Sequence, residues 1–241
     1  MKSSTRPNES LLRSFALVFR NRNFVSFIMG DLFSGIGMAF FQTSMLYYIT
    51  VLLHVPESKS FLVMLTAIAV ALCLFPLIVR ISRRHNKKIL LVAANMVFAT
   101  VFALIYVGDR IAALFPGREL LLGLAMGLVV AFPFAAINIL PQAVLSDIIQ
   151  LDSLKSGVNR EGIFSAVKTF VEKITYSVAM VIVSSVLTVG AVRGEAVGLQ
   201  GVRLTGLCAG VFSLLSLVFF ALYRDKEVMS SIEIYGKGAR K

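Results

Sequence analysis

Ionisable and strongly polar side chains fall at three places inside long apolar runs of this 241-residue sequence, and these are the positions where chemistry is to be sought. Lys168, Thr169, Glu172 and Lys173 crowd two helical turns. Lys168 and Glu172 stand four apart, so they can pair along one helix face. Asp31 lies in an apolar run of its own. A charge at mid-bilayer costs about 2.5–3.5 kcal/mol on insertion scales, so such a group faces a bundle interior or an aqueous cavity. Two readings of Asp31 follow: a cation or proton site, or a structural salt bridge to the basic connection at 80–88. Asn138 sits between Pro133 and Pro141. Each proline removes a backbone donor and frees a carbonyl, and bent helices at membrane depth occur where a cavity is lined. A packing kink, with Asn138 as interhelical glue, is the alternative. Lys173 lies more than two turns beyond Ile163, where a cavity role and snorkelling to the interface are both open to it.

No catalytic set accompanies these residues. His54 and His85 are predicted on opposite sides of the membrane, and Cys73 and Cys208 each lie inside an apolar block, which suits packing better than a disulfide or metal site. No glycine loop for phosphate and no nucleophile elbow is present in the sequence. An enzyme is therefore not expected. No cofactor is expected either, beyond a possible coupling ion, Na⁺ or H⁺.

The elements that must hold these residues are membrane helices. Hydrophobic residues make up 57% of the chain and charged ones 15%, against about 25% charged in an average soluble domain. The apolar residues form six blocks, at about 24–53, 61–81, 89–107, 120–145, 163–192 and 204–222. A hydrocarbon core of ~30 Å needs ~20 helical residues, so each block is long enough to span. The net charge of +11 comes from basic residues clustered between blocks, a pattern that encodes membrane orientation rather than nucleic-acid binding. Alternate connections divide the basic residues nineteen to five, and the rich side is expected to be cytoplasmic, with both chain ends. The expected organisation is a cytoplasmic lead-in over 1–23, a six-helix bundle over 24–222 and a cytoplasmic tail over 223–241. Residues 9–20 could add a short interfacial amphipathic helix.

The connection between the fourth and fifth blocks is the most specific stretch. From Pro141 it reads PQAVLSDIIQLDSLKSGVNREGIF. It resembles the signature of the glycoside–pentoside–hexuronide cation symporters, the melibiose-permease branch of the major facilitator superfamily. Asp147, Lys155, Gly157, Arg160, Glu161 and Gly162 match that pattern, while Gln150 and Ser153 stand where it has acids. Asn21 and Arg22 resemble the lead-in to the seventh helix of that family, and Tyr47 and Tyr48 its paired tyrosines.

The resemblance implies an all-α membrane fold, one six-helix bundle of a two-bundle transporter, built as two inverted triplets. It matches the C-terminal half only, and implies that a complementary N-terminal half, or a second copy, supplies the rest. It places Lys173, Thr169 and Asn138 at positions near the cation and sugar sites, Asn138 replacing a tryptophan. With Asp31 these are the expected cavity residues. Asp147, Arg160 and Glu161 are the expected cytoplasmic gate. The implied activity is cation-coupled symport of a sugar or glycoside across the plasma membrane. Two alternatives stand beside it: an inactive or partner-binding membrane protein, and a transporter of a lipid or amphiphile.

Overall fold

The computed structural model describes residues 18–84, 86–192 and 197–238. Of the lead-in helix expected over 9–20, only 18–20 fall among them, and these are helical. Helix α1 spans Arg22–Tyr47 and continues as a π-helical turn at Tyr48–Leu52. It is followed by α2 (Glu57–Ser82), α3 (Lys87–Tyr106), the short α4 (Gly108–Leu114), α5 (Glu119–Ser156), α6 (Glu161–Leu187), α7 (Leu199–Leu222) and α8 (Asp225–Gly238). Among the described residues, six helices are long and apolar enough to cross a membrane. Asparagine side chains start two of them: Asn21 Oδ1 accepts from the Phe24 amide and Asn86 Oδ1 from the Lys88 amide, satisfying first-turn donors that have no partner inside the helix.

Side-chain contacts show the alternation of directions. Phe24, at the start of α1, meets Phe164, at the start of α6, with ring centroids 5.0 Å apart. Phe27 meets Tyr223, just past the end of α7. At the other end the Tyr48 hydroxyl bonds Thr205 Oγ1 at 3.1 Å, joining the end of α1 to the start of α7. The first helix of each triplet packs on the second and third helices of the other: α1 against α6 and α7, α5 against α2 and α3. This crosswise pairing is what two inverted triplets produce. Close approach is secured by small residues. A Cβ on Gly37 of α1 would lie 2.9 Å from Ser213 Oγ of α7, and one on Gly206 of α7 would lie 2.9 Å from Ile105 Cγ2 of α3.

The fifth block, expected to run to 192, is helical only to Leu187, and the sixth starts at Leu199 rather than 204; two further departures are larger. The fourth block was bounded at 145, but α5 runs on to Ser156. At 1.5 Å per residue its 38 residues reach about 57 Å, well beyond a ~30 Å hydrocarbon core. Apolarity marks the part of a helix in lipid, whereas helix length is set by where the backbone can no longer continue. Here that point is Gly157, in the left-handed region at φ 69°, whose amide donates to the Ser153 carbonyl. The second departure is the tail, which contains α8. Its Val228 is fully buried, and the Lys155 ammonium at the end of α5 stands 6.0 Å from the centre of the Tyr235 ring.

Candidate functional site

An open cavity of about 340 Å³ lies between α1, α5 and α6. Its walls carry Asp31 from α1, Asn138 and Gln142 from α5, and Lys168, Glu172, Thr175 and Tyr176 from α6. Asp31 lies nine residues into α1, about 14 Å along the helix from Arg22.

Lys168 is the centre of this site. Its ammonium donates to Glu172 Oε1, one turn on along α6. It also stands 3.6 Å from Asp31 Oδ2 across the α1–α6 contact. The Lys168 and Asp31 side chains are only 9% and 11% exposed, whereas Glu172 is 43% exposed toward the cavity. One ammonium thus serves two carboxylates, and the fully ionised cluster carries one net negative charge. The salt-bridge reading of Asp31 had placed its partner in the connection at 80–88. The ion pair is instead with Lys168, because α1 packs on α6 while Lys87 and Lys88 are engaged elsewhere. Lys87 pairs with Asp147, and the Lys88 ammonium caps the end of α7 at the Ala221 and Tyr223 carbonyls, at 2.6 and 2.8 Å.

The remaining wall groups are hydrogen-bonding. Asn138, which lines the cavity, donates from Nδ2 to the Phe134 carbonyl at 2.7 Å. Gln142 follows one turn later on the same face of α5. Thr175 Oγ1 is buried and has no hydrogen-bond partner among the described residues. Pro141 also lines the cavity, and its ring denies the Ile137 carbonyl its usual helical partner.

Thr169 and Lys173 do not line this cavity. Both are exposed on the adjoining stripe of α6, continued by the exposed Ser177 and Ser184. Hydrocarbon does not favour such a stripe. The exposed face of α2 is unlike it: Phe61, Leu62, Leu65, Ile68 and Leu72 are all apolar.

The residues expected at the gate fall at the opposite end of α5 from Glu119. Asp147 is paired with Lys87 at the start of α3. Arg160 Nη1 donates to Asp152 Oδ2 at 3.2 Å. Glu161 is exposed, opens α6, and borders a second hollow of about 330 Å³ with Gln150, Ser153 and Asn159. Lys168, Glu172, Gln142, Thr175 and Tyr176 line the cavity but are not among the cavity residues expected from the sequence. A signal existed: Gln142 is four residues past Asn138, and Thr175 and Tyr176 continue the face of Lys168 and Glu172.

The profile of the MFS/sugar transport protein family matches residues 2–224. No curated protein matches the chain.

Proposed function

The chain belongs to the MFS/sugar transport protein family of the major facilitator superfamily, and on that premise we propose that it forms the C-terminal-type bundle of a cation-coupled sugar or glycoside symporter, similar to melibiose permease. The observation that carries the reading is the Asp31–Lys168–Glu172 cluster opening onto a polar cavity within membrane-spanning helices. Charged groups at that depth are expensive and serve ion and solute pathways. The Thr175 hydroxyl, Asn138 and Gln142 suit the hydroxyls of a sugar, and Tyr176 supplies a ring in a chain that has no tryptophan.

The cavity is completed by a second six-helix bundle, whether in the same polypeptide, in another chain or in a second copy. The exposed polar stripe through Thr169 and Lys173 supports this, since it suits a water-lined bundle interface and not lipid. Asp147, Arg160 and Glu161 lie at the cytoplasmic end, where their charge pairs can be remade as the two bundles rock. The protein works in the plasma membrane, with both ends cytoplasmic, a placement favoured by the basic residues at that end.

The test is uptake of a panel of glycosides and uronides into vesicles holding the chain with its complementary bundle, under Na⁺ and H⁺ gradients imposed separately. Accumulation of at least one sugar under one gradient is the expected result. No accumulation and no exchange of any sugar would refute it. An amphiphile is the second reading, favoured by an apolar groove of about 220 Å³ lined by Leu52, Ile105, Leu122 and Met126. Calorimetric titration with a lysolipid and with glycosides separates the two.

A further inference from the structure

We propose that the apolar groove between α3 and α5 seats one acyl chain of an anionic membrane phospholipid, whose phosphate is held at the groove mouth by Arg118 and Arg110. The lipid is a resident of this site and not the transported solute, since the groove and the polar cavity have no lining residue in common. The proposal therefore holds whichever solute the protein moves.

The shape of the groove selects a hydrocarbon chain. Its floor is Tyr48 and Leu52 of the π-helical turn and Ile105 of α3, all buried. Gly108 of α4 and Ala125 of α5 keep it open, where larger side chains would fill it. Its rim is Leu104 of α3 and Val129 of α5, 51% and 52% exposed, so it opens sideways from the bundle. In a membrane that side is hydrocarbon. Water is a poor occupant, because the one hydroxyl in the lining, that of Tyr48, is already bonded to Thr205. An empty groove would forfeit dispersion contacts along its walls. The groove follows α5 from Leu122 to Val129, about 10 Å at 1.5 Å per residue, with a volume of about 220 Å³. That space admits a single flexible chain but not a helix, which is about 10–12 Å across with its side chains.

Charge at one end of the groove selects the headgroup. Arg118 stands four residues before Leu122, on the same stripe, where α5 begins at the membrane surface. Arg110 adjoins Ile111, the groove residue of α4. Both arginines are exposed, and neither has a hydrogen bond or ion pair from its side chain among the described residues. The neighbouring acids are engaged elsewhere: Asp109 pairs with Arg203, and Glu119 Oε1 accepts from the Gly117 amide at 2.8 Å. The three arginines outnumber these two acids, so the mouth is net positive. Free guanidiniums at headgroup level, directly above an apolar groove, match a phosphate above its acyl chain. A lipid with no ammonium of its own gains most from them.

The chain has no tryptophan, so a single introduced one reports its own surroundings. Leu104→Trp puts it on the groove rim. Phe61→Trp puts it on the exposed apolar face of α2, outside the groove and also near the end of its helix. The full chain is placed in phosphatidylcholine vesicles, and quenching is read with chain-brominated phosphatidylglycerol and with chain-brominated phosphatidylcholine. At Leu104→Trp the preference for phosphatidylglycerol is expected to be about fivefold per guanidinium, up to about 25-fold at low salt, and to fall as salt is raised. At Phe61→Trp a ratio near one is expected. Arg110→Gln with Arg118→Gln should bring the ratio at Leu104→Trp to near one. Ala125→Phe should do the same with both guanidiniums in place, because the new ring fills the groove from an exposed position and leaves the buried core untouched. Equal ratios at the two reporters overturn the proposal, as does a preference that survives either the arginine pair or the filled groove. Absence of quenching at Leu104→Trp by both lipids, the result if a second copy of the chain covers the groove, also overturns it. None of these readings requires transport, so their failure is distinct from failure of the symport reading.

Discussion

Replacing Lys168 with methionine removes one ammonium and keeps the length of the side chain. Asp31 is then left 11% exposed beside apolar helix, without a cation. Removing one partner of a buried pair costs about 3–5 kcal/mol, because the remaining charge is desolvated and uncompensated. The lower end applies, since Asp31 borders a cavity from which water can reach it. Glu172 adds little, because at 43% exposure its loss of a partner is screened by solvent. A cost of about 3 kcal/mol corresponds to a fall in Tm of about 6–12 °C for a chain of this size. The assay is thermal unfolding of purified protein in detergent, followed by circular dichroism at the helix band. Asp31→Asn added to Lys168→Met is expected to recover most of the loss, because the stranded charge is gone. A Tm unchanged by Lys168→Met, or a double variant worse than either single one, would refute the claim that Lys168 holds Asp31 across the α1–α6 contact.

Three further outcomes follow from the packing. Gly37→Val should destabilise the bundle by about 1–3 kcal/mol through overpacking, since even a Cβ there meets Ser213 and the Ala209 carbonyl at 2.9 and 3.3 Å; unfolding midpoints check it. Asn95→Leu removes the acceptor of the buried Ser34 hydroxyl, now 2.9 Å away, and should cost about 0.6 kcal/mol and at most about 1.7. Denaturant titration in mixed micelles measures that loss. Charge reversal at Asp147 alone, to lysine, should lower Tm, and Lys87→Asp in the same chain should restore it, because the two side chains pair and each is only 14% exposed. A double variant no better than the single one would separate Asp147 from Lys87.

Much of the fold was legible because lipid imposes a simple rule on sequence. A spanning helix must be apolar for ~20 residues, so six blocks announced six spans, and each block coincides with one span over most of its length. The family match over 2–224 agrees with the resemblance read from Asp147 to Gly162 at the level of the superfamily. Helix ends outside the lipid were less legible, since polar residues such as Ser153 and Lys155 are compatible with helix and loop alike. Only a backbone signal such as Gly157 marks the stop.

The site divides in the same way. Asp31, Lys168 and Glu172 could be flagged from sequence alone, because a charge inside an apolar run is anomalous wherever it points. The pairing of Lys168 with Glu172 was also readable, being a matter of four residues on one helix. That Asp31 belongs with them was not readable. It depends on α1 crossing α6, a contact between residues 137 positions apart that no local pattern encodes. The facing of Thr169 and Lys173 likewise depends on the rotation of α6 about its axis, which is set by Phe164, Val167 and Ala179 burying against the bundle. Sequence by itself determined which charges enter the membrane and how many helices carry them. The tertiary structure alone decided which of those charges meet, because in a bundle the partner of a side chain is chosen by helix packing and not by distance along the chain.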